Sequence, residues 1–172
     1  MEINILEEIK KEMAILAEKL SRTLSDAARL TDTHLNRLPQ TGLMGDVDET
    51  QRKKSVVHHY NFVRALGEKL DEIGEQRSAL LMLCERLDLL SSKSTYEDVE
   101  AISILGKDAF EFMKKIEETE SVSGRFINSL DRFADSANKG KNADFRAASR
   151  ICREYFEFVT KTCSYIDNLR FF

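Results

Sequence analysis

The side chains best suited to chemistry here are three histidines, three cysteines, scattered serines and a few close carboxylates, and their spacing decides what they can do. A metal pair on a helix needs a second ligand four residues away, so that both point from one face. His34, His58 and His59 are the only histidines, and neither His58 nor His59 has a histidine, cysteine or carboxylate at that spacing. His59 falls on an apolar seam, the place of a hydrogen-bonded core histidine. Cys84, Cys152 and Cys163 are odd in number, widely spaced and free of any C-x-x-C pattern. They read as small apolar core residues in a reducing compartment, which places the protein in the cytoplasm.

Asp46 and Asp48 suggest a calcium loop, but a loop starting at Asp46 needs glycine at position 51 and glutamate at 57, where Gln51 and Val57 stand. The serines lie outside any G-x-S-x-G elbow, the glycines form no phosphate-binding loop, and no Glu-x-x-His triplet of the di-iron bundles occurs. No catalytic residue, metal or cofactor is expected.

Three groups remain as candidate contact residues. Arg146, Arg150 and Arg153, at steps of four and three, make a basic stripe on one helix face, to meet phosphate, an acidic partner or the acids of a neighbouring helix. Gly67 and Gly74, seven residues apart, occupy one heptad position; they are either a groove for another helix or tolerated surface glycines, each costing about 0.5–1 kcal/mol relative to alanine. Arg77 interrupts an apolar seam and needs an acid, for which Asp108 is the nearest candidate across the expected hairpin.

The elements that hold these residues are helices. The 172 residues are 42% hydrophobic and 33% charged, with one proline, seven glycines and no tryptophan, a composition that disfavours a turn-rich β fold. From about 3 to 38 a seam runs Leu6, Ile9, Met13, Leu16, Leu20, Thr23, Ala27 and Leu30, then drifts to Leu35 and Leu38 before Pro39. Residues 39–49 hold the proline, two glycines and three acids, and read as a flexible linker. From about 50 to 90 the seam is Val56, His59, Val63, Leu66, Leu70, Ile73, Arg77, Leu80, Cys84 and Leu87. A third helix, about 95–138, opens on Thr95 with Asp98 as a variant capping box and repeats Ile102, Leu105, Ala109, Phe112, Ile116, Thr119, Ser123, Phe126, Leu130, Phe133 and Ala137. The fourth, about 143–170, repeats Phe145, Ala148, Cys152, Tyr155, Val159, Thr162, Ile166 and Leu169, and its extra apolar positions Ile151, Phe156, Phe158 and Tyr165 predict the most buried helix.

The turn at Ser91–Ser94 is too short for anything but an antiparallel hairpin, in which facing residue numbers add to about 185. That register sets Arg77 opposite Ala109, beside Asp108. The expected architecture is all-α: one helical domain over residues 1–172, an elongated, coiled-coil-like antiparallel four-helix bundle around a long central hairpin.

Charge and length limit the functions. Thirty acidic and 26 basic side chains are mixed along the chain, giving a formal net charge of -4, so nucleic acid is a disfavoured partner. The longest apolar run, Ala79 to Cys84, has six residues, against roughly 20 for a membrane span. The first reading is a non-enzymatic protein-interaction module, a scaffold, adaptor or chaperone-like protein that meets a protein partner or a second copy through helical faces. The alternative is a sensor that binds a small ligand between helices, in a cavity beside the small residues Thr119, Ser121, Ser123 and Gly124. A membrane-active bundle ranks third, because an acidic balance disfavours anionic lipid.

Overall fold

The computed structural model describes residues 2–37, 49–93, 96–138 and 145–171. They form four helices, α1 (Glu2–Arg37), α2 (Glu49–Ser91), α3 (Tyr96–Asn138) and α4 (Phe145–Asp167), and no strand. At 1.5 Å per residue, α2 and α3 are each about 65 Å long. Their bounds fall within two or three residues of those expected. The expected linker lies outside the described residues apart from Glu49, which begins α2, and so do Leu38 and Thr95.

Each helix packs antiparallel against its chain neighbours, and α4 closes the ring on α1; α1 and α3 stand on a diagonal and barely touch. Helix α1 therefore packs within its own chain. The α1–α2 seam is marked by Thr23 with Gln76 and by the His34 ring stacked on Phe62, centroids 4.4 Å apart. Ser123 meets Tyr155 across α3–α4. Because α4 is about twenty residues shorter than α2 or α3, it covers one part of the bundle. Phe171, just past its end, packs against Phe112 at 5.8 Å. Beyond that level α1, α2 and α3 enclose Leu6, Ile9, Leu87, Ile102 and Leu105 by themselves.

Helix α3 follows its expected seam closely: Ile102, Leu105, Ala109, Phe112, Ile116, Thr119, Ser123, Phe126 and Leu130 are all buried. The aliphatic and aromatic members contribute about 1.5–3 kcal/mol each. The two hydroxyls within this run lose nothing by burial. Thr119 donates to the Lys115 carbonyl at 2.7 Å, and Ser123 shares a 2.6 Å bond with the Tyr155 hydroxyl.

Two seams drift from the expected course. In α1 the buried line passes from Ala27 to Thr31 and His34, while Leu30 and Leu35 are only partly buried. Thr31 fits there because its hydroxyl donates to the Ala27 carbonyl at 2.7 Å. In α2 the core takes Phe62, Gln76 and Leu83 rather than Val63, Arg77 and Cys84. Real helices turn every 3.6 residues, so a heptad seam followed over eleven turns moves around the cylinder. The extra apolar positions of α4 do not bury it more deeply than α1: Ile151, Phe156 and Phe158 are half-buried and Tyr165 is exposed.

Candidate interaction surface

Facing residues of the α2–α3 hairpin add to about 190 rather than about 185, as His59 with Asp131 and Phe62 with Phe126 show. Arg77 pairs with Glu120, its Nε 2.9 Å from Oε1, and not with Asp108. Side chains lean toward the N-terminus of their own helix. In an antiparallel pair Arg77 and Glu120 therefore reach toward each other, while Asp108 lies the other way. The Arg77 side chain remains about half exposed, so this is a surface ion pair and not a polar core layer.

The glycines line no closed contact. A Cβ built on Gly67, Gly74 or Gly124 meets nothing within 4 Å, so no helix of this chain closes on that stripe. The arginine stripe is exposed throughout, and Arg150 and Arg153 enter no ion pair with α3 or any other helix among the described residues. Thr119 and Ser123 are buried and spend their hydroxyls within the core, on the Lys115 carbonyl and the Tyr155 hydroxyl.

His34 and His59 are both buried, with ring centroids 6.3 Å apart. Burial holds the His34 pKa down to about 4, helped by the charges of His59, His58 and Arg37. His59 is also lowered, chiefly by burial, against a 3.2 Å contact of its Nε2 with Asp131 that works to raise it. Cys152 is fully buried and its thiol is pushed up to about 12; Cys84, half-buried, is raised by burial too. Cys163 lies 3.4 Å from the Ser21 hydroxyl, which donates to Asp167. No histidine joins that group, and no cluster of three metal-binding side chains exists among the described residues.

Two surfaces remain that sequence reasoning did not single out. One is a polar groove of about 570 Å³ between α1 and α2, where Lys69 bridges Asp26 and Glu72 at 3.4 and 3.2 Å. Gln76, buried at its floor, donates to Thr23 while its Oε1 has no partner among the described residues. The other is apolar and lies on the outer side of α2 near the hairpin tip. The run Ala79–Cys84 sends Leu80 and Leu83 inward and leaves Leu81 and Met82 outside. Met82 is 65% exposed, Leu89 63%, and on the flanking helices Ile15 is 53% and Phe110 62% exposed. Ile15 and Met82 line one groove of about 310 Å³. By the hairpin register Phe110 stands level with Leu80 and Leu81, so the band crosses three helices at one height. The apolar run was visible in the sequence. That Leu81 and Met82 lie on the outer side of α2, left uncovered by the flanking α1 and α3, was not. No helix among the described residues is long and apolar enough to cross a membrane. No family model, curated protein or solved structure matches this chain.

Proposed function

We propose that the chain is a non-enzymatic helical module whose outer α2 face docks a protein partner in the cytoplasm. The observation that carries this is the apolar band itself. A stretch of helix that is apolar all round, as Ala79–Cys84 is, is normally covered, and here Leu81 and Met82, with Leu89 beyond them, stay in water beside Ile15 and Phe110. Exposed aliphatic and aromatic side chains grouped in this way mark interaction surfaces more often than bare structure requires. Three free cysteines, one of them deep in the core, suit a reducing compartment.

The test is photo-crosslinking in the native cell from an unnatural residue at position 82 or 89, with position 150 as the control. Adducts of one defined mass from the two α2 sites, and none from the α4 site, are expected. Equal labelling at all three, or none, would overturn the reading.

A second reading, a small polar ligand held between helices, draws its support from the α1–α2 groove with its unpartnered Gln76 oxygen and not from the middle of α3. A ligand-dependent rise in melting temperature that Gln76→Leu abolishes is the result it requires.

A further inference from the structure

The outward face of α2 carries a seam of its own. Glu75, Ala79, Met82, Arg86 and Leu89 recur at steps of four, three, four and three, and every one is exposed. This is the spacing by which one helix meets another, repeated on the exposed flank of α2 beside α1. We propose that the chain pairs with a second copy of itself through this face, α2 against α2, antiparallel about a two-fold axis between Leu80 and Leu81. The inference rests on the interaction reading above and names its partner.

Charge and size choose both the occupant and the register. The axis sets Glu75 against Arg86 of the second copy, and a two-fold makes the same pair again in reverse. Glu75 enters no ion pair among the described residues. Arg86 holds Glu12 at 2.8 Å, but both side chains are about half exposed, which leaves the guanidinium free to take a second carboxylate. The same axis places Met82 over Ala79 of the second copy. Ala79 lines the hollow between α1 and α2 with Ile15, Leu16 and Leu83, so a long flexible side chain meets a small one beside empty space. An axis through Met82 would set Glu75 against Leu89 and Arg86 against Ser78, stranding both charges. A partner of one strong sign would leave one of these charges repelled. A second copy answers both.

Five side chains of one helix and their flanks make a patch smaller than the roughly 800 Å² per partner of a standard interface, so association is expected to be weak and is read over a wide concentration range. Sedimentation equilibrium of the full chain, from roughly 10 µM to roughly 1 mM, should show the mass rising from 19.7 kDa toward twice that value. Glu75→Arg and Arg86→Glu, each alone, should weaken association at least about tenfold, because like charges then face each other twice. An equimolar mixture of the two variants should recover it, since every facing pair is again opposite in sign. Ala79→Trp, which closes the hollow without altering either charge, should also lose association, and circular dichroism on the same samples reports that the helices remain.

A wild-type chain that stays at 19.7 kDa across the range, or a mixture of folded variants that stays monomeric, would overturn the pairing. Crosslinks from position 82 to a protein of another mass, with a monomeric wild type, would keep the interaction reading and remove the second copy from it.

Discussion

Lowering the pH should weaken this fold through His34 before most carboxylates are protonated. His34 is 3% exposed, stacked on Phe62, and its pKa is held at about 4 by burial first and then by the charges of His59, His58 and Arg37. In the unfolded chain the same imidazole titrates at about 6.5. Between those values the unfolded state binds the proton and the folded state does not, so stability is fully present above about pH 6.5 and is lost as pH falls toward 4. A shift from 6.5 to about 4 corresponds to about 3 kcal/mol at 1.36 kcal/mol per unit. His59, lowered in the same direction, adds to the loss. The assay is urea unfolding at pH 7.5, 6.0 and 4.5 for the wild type and for His34→Phe, which keeps a ring against Phe62 and cannot titrate. The wild type should lose about 2–3 kcal/mol more than the variant between the highest and lowest pH. Parallel curves for the two proteins would show that burial does not hold the imidazole neutral, and the reasoning would fail.

Gly67→Ala and Gly74→Ala should each stabilise the fold by about 0.5–1 kcal/mol in denaturant titrations, because the added methyl meets open space; a loss for either would mean that another chain already occupies that stripe. In a double-mutant cycle Arg77 and Glu120 should couple by about 0–1 kcal/mol, as befits a half-exposed pair, and Arg77 with Asp108 should show no coupling. Tyr155→Phe removes the 2.6 Å bond to Ser123 and leaves a buried hydroxyl to find another acceptor, for a loss of about 1–3 kcal/mol by thermal or chemical melting.

The parts of this fold legible in the sequence are those where one face alone is apolar. Helix α3 repeats Ile102, Leu105, Ala109, Phe112 and Ile116 at unbroken steps of three and four with charged residues such as Lys107, Glu111, Lys115 and Glu117 between them, so its seam could be read residue by residue despite the exposed Ile104 and Phe110. Helix α2 resisted such reading for the opposite reason. Around Ala79–Cys84 apolar side chains point in every direction, and periodicity cannot distinguish Gln76 from Arg77 or Leu83 from Cys84 as the inward residue. Thr31 and His34 were passed over for Leu30 and Leu35 because hydropathy scores a residue without its partners; a hydroxyl returned to the Ala27 carbonyl and a ring stacked on Phe62 are both at home in a core. The partner of Arg77 depended on a small change of hairpin register and on the lean of two long side chains, neither of which residue spacing encodes. The candidate docking face needed one further fact, that α1 and α3 flank α2 without covering its outer side, before an apolar run could be recognised as uncovered.

The closure of α4 on α1 has a consequence for the order in which the chain folds. Three of the four seams join helices adjacent in sequence, and such contacts form early because little chain entropy is lost in closing a short loop. The Ser21–Cys163 contact joins residues 142 apart and has to wait until the intervening helices have drawn the ends together. Before that moment α1 presents Leu20, Leu24 and Ala17 to water, and the α4 that covers them need not belong to the same molecule. Refolding at high protein concentration should therefore trap dimers with exchanged α4 helices, and rapid dilution during refolding should suppress them.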